Sequence, residues 1–409
     1  MPAQTRDRNR YDISLWKAKS ELEYLHIYSA KVEESSAYFP SGSGASTDEP
    51  TAKFRAIYEA IERHSGSTIP RNLLSVPYAN IANEALDPSK LIPFSPKQYT
   101  SHDFPYQRIG KNTEIEWKKG ISLTNNREIY IPAFAIYLGY NRKTTKNGPF
   151  CPTISSGLAV QKSLEEAVIK GVTELVERDS AMLVWLTKKK TPRLNLLSVE
   201  HEATKKLIKN IRKNHLKAEV VISTSDIPVQ SVIGIIYNTK NASPCVGFGM
   251  AAGFNIEELV MKSLEEALMV WDTLNHCRTN DTSIHKHMRP SQVKTLLDHA
   301  LYYSSPDNSK RWKFLLSGDT IKINDLKVDG RSAMAGNLKN IVNAFAELDF
   351  EIFAVDLTTD LARSLKLKCV RVTIPGLKQQ EIDHNKRFLG PNRGINSIEI
   401  VNNFPHPFS

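Results

Sequence analysis

One sequence pattern occurs in this chain twice at full length and once in shortened form, and this repetition limits the folds open to the chain. Residues 157–180 read GLAVQKSLEEAVIKGVTELVERDS, and 92 positions later residues 249–272 read GMAAGFNIEELVMKSLEEALMVWD. Residues 52–65, AKFRAIYEAIERHS, match the end of the first copy at a spacing of 115. These spacings are too long for a solenoid, so the sequence predicts three related helices within one fold.

Each copy collects its glutamates on the helix face opposite its apolar residues, at 100° per residue. The glutamates on these faces are Glu59 and Glu62, then Glu166, Glu174 and Glu177, then Glu258 and Glu266. The basic residues that share the faces are Arg63, Lys170, Arg178 and Lys262. On any single helix, such a stripe of glutamates is explained by an ordinary solvent-exposed face. Three stripes packed side by side would instead form an acidic pocket, and such oxygen-rich sites suit Mg²⁺ that arrives with nucleotide phosphates.

The overall composition excludes several classes of protein. Of the 409 residues, 41% are hydrophobic and 24% are charged, which is ordinary for a globular chain and unlike a disordered or fibrous one. The longest apolar stretch, residues 130–140, is too short to cross a bilayer. The net charge of +10 is spread along the chain without a nucleic-acid-binding motif. We therefore expect neither a membrane nor a nucleic acid as partner.

The cysteines and the N-terminus indicate the compartment. The four cysteines lie far apart without a CxxC pair, which argues against a disulfide framework and a zinc ribbon. The first ten residues, MPAQTRDRNR, contain no apolar segment of a secretory signal. Both features predict a cytoplasmic protein.

Strand-like segments alternate with the helices and predict an α+β fold with mixed or antiparallel sheets. These segments are residues 114–117, 128–138, 220–223, 231–237, 350–356 and 369–374. Residues 41–47, SGSGAST, predict a small-residue turn before the first helix, where backbone N–H groups could face an anion.

At this level of detail the chain resembles the YcaO superfamily, from about residue 42 to the C-terminus. Residues 155–179 are similar to its central signature, and residues 56–66 (AIYEAIERHSG) to its earlier ExxER motif. Residues 247–268 are similar to its third element, and residues 370–377 (VRVTIPGL) to its late strand and turn. The ending FPHPFS is similar to the proline-rich tail of azoline-forming members.

The resemblance implies an ATP- and Mg²⁺-dependent enzyme that acts on peptide backbone amides. In azoline-forming members, a Cys, Ser or Thr side chain attacks the preceding carbonyl, ATP phosphorylates the amide oxygen, and loss of phosphate leaves a thiazoline or oxazoline. The implied fold brings the three glutamate-bearing helices to one ATP/Mg²⁺ site. Phosphoryl transfer depends on positioning and charge neutralisation, for which Mg²⁺ and arginine are suited.

The implied roles transfer to particular residues. The glutamates that match Mg²⁺-binding positions are Glu59, Glu62, Glu174 and Glu177. The residues expected at the nucleotide are Arg63, Lys162, Glu166, Arg178, Glu258, Lys262, Glu266 and Arg371. For Arg371 an exposed strand position stays open as the alternative. Departures from the family pattern are Ser43, Arg55, Lys162, Lys262, Met269 and Trp271.

The proline-rich end predicts a catalytic tail. Its residues are Pro405, His406, Pro407 and Ser409. Two prolines reduce the freedom of the unbound chain, so an extended end can be placed at small entropic cost. We expect the terminal carboxylate or His406 to assist proton transfer during cyclisation, since an imidazole near neutral pKa suits that role. Disorder, which is common at chain ends, is the alternative.

The same resemblance leaves three functions open: an azoline-forming cyclodehydratase, a thioamide- or amidine-forming enzyme, and a non-catalytic assembly subunit. The tail favours the first. The expected organisation is an N-terminal extension (residues 1–40), a catalytic domain (41–390) and a C-terminal strand and tail (391–409). The expected partners are a ribosomally made precursor peptide, a separate leader-binding E1-like protein and a flavin-dependent dehydrogenase, with the chain a homodimer within this complex.

Overall fold

The computed structural model describes residues 13–33, 41–140, 149–240, 243–280, 288–327, 334, 336–390 and 402–408. Strands in these ranges form three sheets, and the predicted α+β class with mixed and antiparallel sheets is confirmed. Within the described ranges, no helix has the length and apolar character that crossing a bilayer requires.

The first sheet is antiparallel, with the order β1-β2-β3. Its strands are β1 (Ile13–Lys17), β2 (His26–Val32) and β3 (Ser41–Ser46). β1 and β2 come from the predicted N-terminal extension, and β2 pairs with β3, which begins the predicted catalytic domain. β2 and β3 also pack against the first long helix.

The second sheet has the order β4-β5-β13-β14-β7, with β6 paired to β5, and all its described pairings are antiparallel. Its strands are β4 (Leu74–Pro77), β5 (Glu114–Ser122), β6 (Arg127–Pro132), β7 (Leu158–Gln161), β13 (Phe353–Asp356) and β14 (Lys368–Thr373).

The third sheet has the order β11-β10-β9-β8-β12, and only its β8–β12 pairing is parallel among those described. Its strands are β8 (Arg193–Leu194), β9 (Leu216–Ile222), β10 (Gln230–Asn238), β11 (Val246–Gly253) and β12 (Thr320–Ile321).

The three repeat copies lie in the three longest described helices, which are α1 (Glu49–Ser67), α3 (Leu164–Thr187) and α5 (Ile256–Asn280). The shorter ones are α2 (Ala133–Ile136), α4 (Glu202–Lys213), α6 (Leu296–Ser304), α7 (Asn324–Lys327), α8 (Leu338–Ala346) and α9 (Asp360–Ser364). The Asp48 carboxylate accepts the Thr51 N–H at the start of α1, and Ser163 and Glu166 form a capping box on α3.

Two predicted elements differ from the structure. Residues 41–46 form strand β3 rather than a turn, because the absence of a side chain lets helix α1 lie directly on this strand. A Cβ atom on Gly42 would come within 2.3 Å of the Ala60 backbone nitrogen. The strand predicted over residues 128–138 ends at Pro132, where α2 begins.

The strand β11 was not predicted, because glycines replace the usual β-branched residues at the positions that face α5. A Cβ atom on Gly249 would lie 2.3 Å from the Ser263 carbonyl oxygen. Close approach of a glutamate-bearing helix to a glycine-containing strand therefore occurs at both α1 and α5.

We predict that Gly42→Ala lowers the free energy of unfolding by about 2 kcal/mol or more, because the added methyl group overlaps backbone atoms of α1 that cannot move alone. Gly110→Ala is the matched control, since the nearest atom to its Cβ would be Thr113 Oγ1 at 3.5 Å. Denaturant unfolding measures both, and equal stability of the two variants would show that α1 and β3 are not closely packed.

Candidate functional site

A wide cleft of about 1270 Å³ lies where α1, α3 and α5 meet β3 and β11. Its charged lining residues are Arg55, Glu59, Arg63, Glu166, Lys170, Glu174, Glu177, Arg178, Glu258, Lys262 and Glu266. The three stripes therefore face one space, as the helix wheel predicts. We call this space the cleft.

Helix α1 contributes a carboxylate held from two sides. Glu59 accepts the Ser43 backbone N–H at 2.7 Å through one oxygen, and its other oxygen lies 3.0 Å from Arg63 Nη2. Both charged side chains keep about a third of their surface exposed, at 32% and 30%. The Nε atom of Arg63 is buried without a hydrogen-bond partner among the described residues. The pair is oriented but still open to the cleft.

Helix α3 contributes two more carboxylates around one arginine. Arg178 Nη2 lies 3.9 Å from Glu174 and 3.7 Å from Glu177, and Glu174 also accepts the Gly157 N–H at 3.4 Å. The side chains of Glu174 and Glu177 are only 16% and 10% exposed. A further contact fixes Arg178 from the other side, because its Nη1 donates to Gln380 at 3.0 Å.

Helix α5 contributes Glu266, which accepts the Met250 N–H of β11 at 2.8 Å. Glu258 lies two turns earlier and Lys262 one turn earlier, and they form an exposed pair with 3.5 Å between their charged atoms. Met269 also lines the cleft, whereas the Trp271 indole donates to the Pro244 carbonyl and lies outside the cleft lining.

Three carboxyl groups in and beside the cleft resist ionisation. Burial and the neighbouring Glu174 raise the pKa of Glu62 well above its ordinary value, and burial also raises the pKa of Glu174 against the opposing effect of Arg178. Burial, followed by repulsion from Glu177, raises the pKa of Glu266 to about 7. One helix from each repeat copy thus supplies a carboxyl group with a raised pKa.

The cations of the cleft are stabilised by the same acids. Burial alone would lower the pKa of the Arg178 guanidinium, but Glu177, Glu174 and Glu266 raise it above its ordinary value. Lys170 likewise favours the ionised form of the Glu174 and Glu266 carboxyls. The cluster is therefore cross-linked by charge, with excess carboxylate near its centre.

The donor set fits Mg²⁺ that is bound together with a phosphate ligand. Within the described ranges, no group of three or more His, Cys, Asp or Glu side chains is placed to hold a metal ion alone. Mg²⁺ commonly takes one or two carboxylates, and phosphate oxygens and water complete its octahedron. Glu59, Glu174 and Glu177 would supply such oxygens, and a cation beside Glu174 would favour its ionised form against the burial that raises its pKa.

One buried carboxylate that shapes the cleft was missed by the sequence analysis. Glu265 is 1% exposed, and its two oxygens accept from Ser46 Oγ at 2.7 Å and Arg55 Nη1 at 2.6 Å. It thereby joins α5 to β3 and α1. The helix wheel could have indicated this, because Glu265 directly precedes Glu266 in the repeat and therefore points about 100° away from the glutamate-bearing face of α5.

Three residues expected at the nucleotide or metal do not line the cleft. Glu62 is half-buried behind it, where burial and the charge of Glu174 raise its pKa. Lys162 is exposed. Arg371 is only 6% exposed, so the exposed-strand alternative is wrong. It lines an adjoining cavity of about 40 Å³ that shares Ile154, Ser156 and Arg178 with the cleft, and burial lowers its pKa to about 10. Glu166 does face the cleft, but it also caps α3.

The structure does not place the predicted proton carrier at the cleft. His406 is 0% exposed, its ring stacks on His299 at 3.8 Å, and burial lowers its pKa to about 3. Its Nε2 lies 2.7 Å from the Glu381 carbonyl oxygen. A buried neutral ring with this contact braces the tail, so the expected proton-transfer role of His406 is wrong. Pro405 and Pro407 are buried beside it, and Ser409 lies outside the described residues.

Comparison with known proteins identifies a matching family and solved structures with a similar fold. The family model described as YcaO cyclodehydratase, ATP- and Mg²⁺-binding, matches residues 41–378. A solved heterocyclase in complex with substrate and cofactor superposes with a TM-score of 0.73 at 21% identity, covering 90% of this chain and 50% of that one. The chain thus spans about half the length of that heterocyclase.

Two further structures share the fold along most of both chains. The YcaO protein of Methanopyrus kandleri, bound with AMPPCP and Mg²⁺, has a TM-score of 0.61 and 20% identity, with 90% of this chain and 86% of that chain covered. A chain of the E. coli microcin synthetase McbBCD complex with pro-MccB17 bound has a TM-score of 0.67 and 14% identity, with 97% and 96% covered.

The raised pKa of Glu266 predicts a pH dependence of stability. Because the carboxyl is harder to ionise in the folded chain, its contribution favours folding below its ordinary pKa of 4.5 and is lost as the pH rises through about 7. Without Mg²⁺ or nucleotide, Glu266→Gln should be more stable than the wild type at pH 8, by on the order of 1 kcal/mol, and the two should converge near pH 4.5.

Thermal unfolding across this pH range measures the difference. Glu165→Gln is the control, since Glu165 is exposed on α3 and does not line the cleft. A Glu266→Gln variant whose stability parallels that of the wild type at every pH would show that this carboxyl ionises normally.

Proposed function

This chain belongs to the YcaO family, and from that premise we propose that it catalyses the ATP-dependent cyclodehydration of a peptide. A Cys, Ser or Thr side chain of the peptide loses its thiol or hydroxyl proton and adds to the preceding carbonyl carbon, and the carbonyl oxygen takes the γ-phosphoryl group of ATP. That oxygen then departs as phosphate, the amide nitrogen loses its proton, and a thiazoline or oxazoline ring remains together with ADP.

The observation that carries this proposal is the crowding of carboxyl groups from three helices in one cleft. Glu62, Glu174 and Glu266 all have raised pKa values, which is unfavourable for an empty site and favourable for one that receives a cation. The volume of about 1270 Å³ leaves room for a nucleotide and an extended peptide segment.

The residues then divide by charge. Bound Mg²⁺ would neutralise the charge that develops on the transferring phosphoryl group. Glu59, Glu174 and Glu177 would hold this ion. Glu62, which lies behind Glu174, would act on the ion through its charge without binding it. Arg63 and Arg178 would donate to phosphate oxygens, for which the forked guanidinium is well suited. Glu266 would orient Arg178 from the opposite helix.

The peptide and partner assignments follow the solved relatives. One of them was solved with substrate and cofactor, and another belongs to the McbBCD complex with pro-MccB17 bound. We propose that this chain likewise acts on a ribosomally made peptide that a separate leader-binding protein presents. A flavin-dependent dehydrogenase would be needed in addition if the azolines are oxidised to azoles.

We predict that Glu174→Gln and Glu62→Gln each weaken Mg²⁺-dependent binding of AMPPCP by at least about tenfold, because a bound cation would favour the ionised form of each carboxyl and each substitution removes that charge. Turnover with a precursor peptide and its partner should fall by orders of magnitude, since charge neutralisation carries the phosphoryl-transfer step. Isothermal titration calorimetry and a phosphate-release assay provide the two measurements.

Glu165→Gln again serves as the matched control on the same helix, and it should bind AMPPCP as the wild type does. Normal affinity and normal turnover in both Glu174→Gln and Glu62→Gln would contradict the proposed site. Mg²⁺-independent binding of AMPPCP by the wild type would contradict the metal assignment.

A further inference from the structure

The last described residues are held inside the protein by side chains from several elements. Phe408 is 1% exposed and His406 is 0% exposed. The Tyr303 hydroxyl donates to the Pro405 carbonyl oxygen at 2.6 Å, and His299 Nδ1 lies 2.7 Å from that of His406. Residues 402–408, which we call the tail, are thus a built part of the structure.

The last of these contacts leads to the cleft. Gln380 Nε2 donates to the Phe408 carbonyl oxygen at 3.0 Å, and Gln380 Oε1 accepts from Arg178 Nη1, also at 3.0 Å. Gln380 is 6% exposed, so water offers little competition for either bond. A single buried side chain therefore joins the tail to an arginine of the cleft.

Chemistry fixes the direction of both bonds. A guanidinium can only donate and a backbone carbonyl can only accept, so the group between Arg178 and Phe408 must accept on one side and donate on the other. A primary amide does this in one orientation, and the flipped amide would satisfy neither partner. A carboxylate would serve Arg178 but repel the carbonyl oxygen, and an apolar side chain would serve neither.

The bond from Gln380 bears on how Arg178 is aimed. The carboxylates of Glu174 and Glu177 lie 3.9 and 3.7 Å from Nη2, beyond hydrogen-bonding distance, whereas Gln380 holds Nη1 at 3.0 Å. The guanidinium is planar and rigid, so fixing one terminal nitrogen orients the other. Without that bond, Arg178 would be free to turn fully onto its carboxylate neighbours.

We propose that Gln380 is a positioning residue that couples the tail to Arg178, so that the docked tail raises the affinity of the cleft for nucleotide phosphates. The proposal rests on the proposed function, which places phosphates at Arg178. It concerns nucleotide binding and does not require the tail to take part in ring formation.

The test is a double-mutant cycle in which calorimetry on the full chain measures the affinity for Mg²⁺–AMPPCP. Gln380→Leu removes both bonds, and truncation after Pro407 removes the Phe408 carbonyl. Each should weaken binding about tenfold, the effect of one hydrogen bond to a charged group. The combined variant should bind no more weakly than either single one, because both changes break the same link.

Two controls separate this coupling from packing and folding. Asn403→Ala removes an exposed side chain of the tail, keeps the Phe408 carbonyl acceptor and should bind as the wild type does. Gln380→Glu keeps the acceptor for Arg178 but loses the donor to the tail, so truncation should cause no further loss of affinity in it. Melting temperatures of all variants, taken without nucleotide, confirm that the folded chain is being compared.

Unchanged affinity in folded Gln380→Leu would overturn the proposal, as would additive losses in the combined variant or an Asn403→Ala variant as weak as the truncation. In each of these cases the wild type still binds Mg²⁺–AMPPCP, and the proposed function stands. A wild type that fails to bind Mg²⁺–AMPPCP would overturn both.

Discussion

Burial of mutually repelling carboxyl groups from three helices is the constraint around which the rest of this structure is arranged. Glu62, Glu174 and Glu266 come from different repeat copies, and each has a pKa raised by burial and by its neighbours. The fold must supply enough packing energy to hold them together. Arg178 compensates part of the charge, and the remainder is what a divalent cation would neutralise.

The packing that overcomes this repulsion is unusually close. Glycines on β3 and β11 let α1 and α5 approach these strands to backbone contact, and buried Glu265 ties both helices to one edge of the cleft. These interactions leave little freedom for the glutamate-bearing faces to separate. The tail adds a further restraint from the far side of Arg178, through Gln380.

The sequence predicted the parts of the site that follow a helical period. Repetition and the helix wheel were enough to bring Glu59, Glu174 and Glu266 to one space. Strand β3 escaped prediction because glycine and serine favour turns when read locally, and only contact with α1 explains them. The role of Gln380 and the burial of His406 also escaped, because both depend on contacts between residues far apart in the chain, which no local pattern encodes.

Proton release on ligand binding tests the central claim most directly. If the raised pKa values belong to carboxyl groups that bind a cation in their ionised form, Mg²⁺–AMPPCP binding near pH 7 must release protons, because the cation favours the ionised forms. Calorimetric titrations in buffers of different ionisation enthalpy count these protons. The account predicts a net release that falls towards zero as the pH rises well above 7 and that is reduced in Glu266→Gln. Tight binding with no proton release at pH 7 would contradict it.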